Sequence, residues 1–315
     1  AASLKALTNL QTNSKIVFDD DGVSMAQGFS LTLNAQYADG ETISGPGSIA
    51  ILGLENSSEA DLSKIVNSGS KTVTISDNVN FLGNFGSDFS ISVDAGKKLS
   101  APAAVVNGQD ITGEGAVAVS RLEDFASADL SGISATGGKS ASISDNVTFI
   151  GNLGSDFSIV VEAPKILTTT ASILNGQNVS GGGSIVVTNL DQTLDADLSN
   201  LSGLGSITAN FSSSGVFIGD LGAAEAVLSD NATITANFNV LTGKLIRHDG
   251  TELNQAIVVQ VDNAASSADL NLIESDILDI SANFVENLTF TGNLRDNPAS
   301  ISEGVSISMS GTAVS

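Results

Sequence analysis

The feature that most constrains this chain is an internal repeat at a fixed offset. Residues 140–183, SASISDNVTFIGNLGSDFSIVVEAPKILTTTASILNGQNVSGGG, restate residues 72–115, TVTISDNVNFLGNFGSDFSISVDAGKKLSAPAAVVNGQDITGEG, 68 positions on. Asp77 answers to Asp145, Gly83 to Gly151, Phe89 to Phe157 and Gly108 to Gly176. A marker, Asp-Leu-Ser, returns at Asp61, Asp129 and Asp197, then as Asp269-Leu270-Asn271, with spacings of 68, 68 and 72. Self-similarity at one period is the mark of a repeat architecture, in which each unit relies on its neighbours to bury its apolar face. The marker divides the chain into units at residues 1–60, 61–128, 129–196 and 197–268, with a partial unit at 269–315, read as one continuous array.

Inside a unit the landmarks keep their order. Val73 and Ile75, then Val79 and Phe81, alternate with polar residues, and so do Ile143, Val147 and Phe149. Val216 with Ile218 and Leu288 with Phe290 stand in the corresponding places of later units. Period-two alternation is the signature of a half-buried strand. A glycine turn follows at Gly83-Asn84-Phe85-Gly86 and Gly151-Asn152-Leu153-Gly154, and then a second alternating strand at Phe89, Ile91 and Val93. Asp39-Gly40, Asn107-Gly108, Asn175-Gly176 and Asp249-Gly250 supply the strongest short turn signal. Helical periodicity is scarce, and short helices or corners are expected only before the markers, as over residues 121–132.

Many short strands with frequent turns predict an all-β fold, with two arrangements open. One is a repetitive β-solenoid, parallel β-helix-like, in which a 68-residue unit makes about three coils of roughly 20 to 25 residues. The other is a row of tandem small β-sandwich domains. No Pro-rich or charged linker separates the units, and a disulfide-free β domain of this size is marginal alone. Both points favour the solenoid.

The phrasing of residues 96–119, GKKLSAPAAVVNGQDITGEGAVAV, resembles the repeats of bacterial surface β-solenoids, of which autotransporter passenger domains and filamentous-haemagglutinin-like adhesins are the nearest. The resemblance implies a secreted or surface-bound stalk, fibre or adhesin, and it carries no catalytic residue across.

Charge and cysteine usage exclude several classes. With 35 acidic against 12 basic residues the net charge is −23, which argues against nucleic acid as a partner. No cysteine is present, so disulfides, zinc–thiolate sites and cysteine catalysis are excluded. No apolar run reaches the ~18 residues that span a bilayer.

Few residues suggest chemistry. Asp19-Asp20-Asp21 form the densest acidic cluster and are the candidate calcium ligands, with Asp77, Asp88, Asp145 and Asp156 as further oxygen donors. Against that, Asp in turns commonly accepts from its own backbone. The sole histidine, His248, is read as a solvated turn residue. Any singular site should break the repeat, which directs attention to residues 241–252 in the fourth unit.

Repetition without a singular site predicts a structural protein, not an enzyme, located outside the cell or on its surface. Neither end of the sequence looks capped, so the expected partner is the protein itself, as a head-to-tail homopolymer, since a heterologous contact that does not close polymerises. The alternative is an adhesin or S-layer-like module, with calcium as its candidate cofactor, that binds a glycan or cell surface. A polysaccharide-active enzyme is the third reading.

Overall fold

A computed structural model describes residues 16–19, 22–249, 254–277, 279–294 and 298–309. The fold is all-β, and its strands lie in several sheets joined mainly by parallel pairing. The chain divides into two compact units, Ala1–Val160 and Val161–Ser315, and the division falls inside the strand Phe157–Val161, not at a repeat border.

In the first unit, Ser30–Asn34 pairs in parallel with Ser48–Leu52. The ladder continues through Lys71–Ile75, Ser90–Val93 and Asp110–Thr112. Register places Leu33, Ile51, Val73, Ile91 and Ile111 in one column, and none is more than 6% exposed. Each such aliphatic contributes about 1.5–3 kcal/mol by burial. β-Branched side chains suit the column because they stack on a pleated surface without losing further rotamer freedom.

A second ladder joins Val79–Asn80, Lys98–Pro102, Ala116–Ser120 and Lys139–Ile143, again in parallel. From Val79 it steps to Leu99, Val117 and Lys139, that is by 20, 18 and 22 residues. Eight residues after Lys139 comes Val147–Thr148, the copy of Val79–Asn80 at the 68-residue offset. Three ladder steps therefore fall short of the period, and a fresh two-residue strand makes up the difference.

One pairing departs from this pattern. Ile16–Asp19 runs antiparallel to Gly22–Met25, the one antiparallel pair among the described ladders, and Gly22–Met25 then pairs in parallel with Ile43–Ser44. A hairpin stands where an open parallel coil was expected.

In the second unit, one ladder runs from Ile166–Thr170 through Ser184–Thr188, Ser206–Phe211 and Glu225–Leu228 to Leu245–His248 and Glu274–Ser275. Another joins Gly215–Phe217, Thr233–Asn237, Ala256–Val261, Asp279–Phe284 and Ala299–Ile301. Leu288–Phe290 pairs separately with Ile307–Met309. Edge-to-face rings close the core, Phe211 on Phe217 at 5.6 Å and Phe284 on Phe290 at 5.1 Å.

Several expectations need correction. Val216 and Ile218 are 45% and 71% exposed, and it is Phe217 between them that is buried. A one-residue displacement on a strand exchanges the two faces. The turn expected at Asn107-Gly108 is present, and the strand after it, Asp110–Thr112, pairs in parallel with Ser90–Val93. Before this turn and its counterparts stand four-residue helices, Ala35–Ala38, Ala103–Val106, Ala171–Leu174 and Phe238–Leu241. The last is followed by Thr242-Gly243, which is thus the fourth unit's counterpart of Asn175-Gly176, and not Asp249-Gly250. The short helix or corner expected over residues 121–132 is present as a three-residue 3₁₀ turn, Leu122–Asp124.

Candidate functional site

The recurring Asp and Asn residues form a hydrogen-bonded column. The side chain of Asp39 accepts the backbone N–H of Asp61 at 2.8 Å, and Asn107 and Asn175 do the same for Asp129 and Asp197. Each marker Asp accepts from the residue two further on, Ser63, Ser131 or Ser199. The marker is bridged in turn to Asn84, Asn152 or Asp220. Those side chains accept the N–H of Gly86, Gly154 or Gly222. Asp39, Asp61, Asn84 and Asn107 are separated by 22, 23 and 23 residues, and these three steps compose the 68-residue period.

This column explains the sequence's conspicuous acids. The Ser63 hydroxyl and then its N–H hold the Asp61 carboxyl below the usual carboxylate range, and Ser131 and Ser199 act likewise on Asp129 and Asp197. A carboxylate that accepts such bonds is stabilised in its charged form. Close packing between successive turns also fixes glycine, since a Cβ on Gly83 or Gly151 would run into the carbonyl oxygen of Ala60 or Ala128.

Of the candidate calcium ligands, Asp19 ends the strand Ile16–Asp19, while Asp20 and Asp21 lie outside the described residues. Asp77 accepts the N–H of Asn78 at 2.8 Å and the Lys97 ammonium at 3.1 Å. Asp145 accepts from Asn146 N–H. Asp88 lies 3.6 Å from the ammonium of Lys71, and Asp88 and Asp156 both occupy left-handed backbone, with φ of 62° and 59°. No group of three His, Cys, Asp or Glu side chains that could hold a metal ion occurs among the described residues.

His248 is not a solvated turn residue. It ends the strand Leu245–His248 in register with Leu228 and Phe211, both fully buried, so it lies on a core-facing column. Its Nδ1 is shielded from solvent and has no hydrogen-bond partner among the described residues. Its backbone N–H donates to Asp276 at 3.2 Å. Nearby, Arg247 pairs with Glu225 at 2.9 Å and Ser229 donates to Asp249 at 2.8 Å. Residues 250–252 of this stretch lie outside the described residues.

Two further lysines lie against the core, Lys71 buried and Lys139 half-buried. Lys71 is 7% exposed, donates to the carbonyl of Ile65 at 3.4 Å and lies 5.4 Å over the Phe89 ring. Lys139, at the same offset of 68, repeats the pair with Ile133 and Phe157. A buried ammonium is tolerated where carbonyl and ring replace its water.

A third lysine is placed differently. Lys98 borders two adjoining cavities of about 460 and 240 Å³ on the outward face of the ladder that starts at Val79. Asn80, Ser100, Ser120, Ser140 and Ser142 line the same trough, with Ala118 and Val160 as its carbon surface. Register sets Asn80, Ser100, Ala118 and Ser140 side by side across four strands.

Comparisons with protein-family models, with curated proteins and with solved structures return no match.

Proposed function

We propose that this chain is a β-solenoid and serves as an extracellular structural protein, the subunit of a fibre or surface layer built by stacking copies. The parallel ladders and the Asp/Asn column, with its steps of 22, 23 and 23 residues, support the solenoid. Tandem sandwiches would instead pair their strands antiparallel within a unit.

One observation carries the assembly. Ile301 is in register with Phe284, and Met309 with Phe290. The two phenylalanines are at most 1% exposed, whereas Ile301 is 55% and Met309 45% exposed. Among the described residues these are core-column positions on the outermost strands of their ladders, and such an edge presents unpaired N–H and C=O groups to a strand that can join it. In the proposed fibre a second copy supplies that strand.

Electron microscopy of the purified protein at rising concentration tests the reading. Filaments or end-joined particles are expected, and a single-copy particle at every concentration, with and without calcium, would overturn it. Location is tested separately by fractionating the native source, where the protein should be found in the medium or the cell-surface fraction.

A further inference from the structure

We propose that the trough around Lys98 is a binding site for an acidic, linear saccharide. The inference stands on the compact unit Ala1–Val160 alone and does not depend on assembly. The trough is where the repeat is broken in favour of a cation. At the offset of 68, Lys98 corresponds to Ser30 in the preceding unit and to Ile166 in the following one. The hydroxyls around it are kept, since Ser100, Ser120 and Ser140 become Thr168, Thr188 and Thr208. One copy therefore adds a positive charge to a hydroxyl-lined face at a position that its neighbours in the repeat leave uncharged.

The surroundings leave that charge available. The neighbouring Lys97 is engaged by Asp77 at 3.1 Å, while the Lys98 ammonium has no carboxylate partner among the described residues. None of the residues lining either cavity is acidic, in a chain of net charge −23. An anion approaching elsewhere meets a negative field, and here it meets an unneutralised ammonium.

The polar lining selects the ligand's class. Hydroxyls donate and accept alike, so the serines can match a polyol in either sense. The hydroxyls of Ser100, Ser120, Ser140 and Ser142 and the Asn80 amide make no hydrogen bond to other described residues, whereas Thr188 in the following copy donates to the carbonyl of Thr169 at 3.2 Å. Four strands at about 4.8 Å spacing give the row a length of about 14 Å, which suits an extended chain of sugars more than a compact ion. A peptide strand would need free backbone groups, but Lys98–Pro102 and Ala116–Ser120 are central strands whose ladder bonds are made on both sides.

Isothermal titration of the full chain with an oligogalacturonate tests this, beside an uncharged oligosaccharide of equal length and sodium sulfate. The acidic probe should bind at least tenfold tighter than the neutral one, and raising salt from about 0.05 to 0.5 M should weaken it severalfold. Lys98→Ile, which installs the following unit's residue at an exposed position, should reduce acidic binding to the neutral level. Ser140→Tyr, which fills the trough and keeps the charge, should weaken both saccharides. Unchanged affinity in Lys98→Ile, equal binding of the two saccharides, binding of sulfate as tight as that of the saccharide, or no binding at all would each overturn the proposal.

Discussion

Phe284 and Ile301 occupy neighbouring positions of one core column, yet one is 1% and the other 55% exposed. Phe290 and Met309 repeat the contrast at 0% and 45%. The side chains are all large and apolar and all lie in parallel ladders. For Phe284 and Ile301, what separates them is a strand on the far side, since Asp279–Phe284 also pairs with Ala256–Val261, whereas among the described residues Leu288–Phe290 pairs with Ile307–Met309 alone. In such a ladder a side chain is buried by the next rung more than by its own, so an interior rung is a core and an edge rung is open, which in the proposed fibre makes it an interface. In the proposed fibre the same polypeptide pattern therefore serves stability in one place and association in another.

The largest consequence lies in truncation. Phe284→Ala should cost about 3–5 kcal/mol in chemical denaturation, because it empties a closed site. Ile301→Ala should cost less than about 0.5 kcal/mol in the isolated chain, as at other exposed positions. Equal costs would mean that Ile301 is already covered within one molecule.

Glycine gives the next contrast. Gly151→Ala places a methyl against the Ala128 carbonyl of an adjacent turn and should destabilise by about 1–3 kcal/mol. At Gly304, beside the edge strand Ile307–Met309, a Cβ meets nothing within 4 Å, and only the left-handed backbone at φ 80° resists it. Gly304→Ala should therefore cost about 1 kcal/mol or less.

Arg121 sharpens the comparison within the interior. It adopts φ 56° where the preceding repeat has Gly53 at φ 69°. Arg121→Gly should raise the denaturation midpoint by the equivalent of about 0.5–1 kcal/mol, whereas Gly53→Arg should lower it.

The smallest effect is electrostatic and belongs to the column. Asp61, Asp129 and Asp197 titrate below the ordinary 3.8 in the folded chain. Their contribution is thus present above that pH and is lost as pH falls through the folded values. Thermal stability should be flat from about pH 7 to 5 and decline below about pH 4. Asp129→Asn, which retains the acceptor as Asn84 and Asn152 do, should make that acid decline shallower.

Much of this was legible in the sequence where the period is strict. The offset of 68 found the buried pairs Val79 and Phe81 and Val147 and Phe149, which are 0–8% exposed. It also reaches Phe217 from Phe149, but Gly215 replaces the first apolar residue there, and the aliphatic Val216 and Ile218 imitate the alternation on the wrong face. Alternation identifies a strand without saying which face is wet. The fourth turn was displaced for a related reason: Gly243 follows Gly176 by 67 residues, and the nearby Asp249-Gly250 offers a stronger local signal.

Parallel pairing could not be read from Asn107-Gly108, because the partner of Asp110–Thr112 is the strand Ser90–Val93, 20 residues earlier in the chain. The trough was legible only as an exception. Lys98 lies two residues before Ser100, beside the row Asn80, Ser100, Ala118 and Ser140, and that row is defined by register, which single-strand reasoning does not supply.

The central claim, that an edge rung is an interface completed by a second copy, is tested most directly by sedimentation velocity across a hundredfold range of concentration. The wild-type chain should sediment faster as concentration rises, and Ile301→Lys with Met309→Lys should hold it at the single-chain value without altering its unfolding midpoint. A wild-type chain that stays at the single-chain value throughout, or a double variant that associates as the wild type does, would contradict the account.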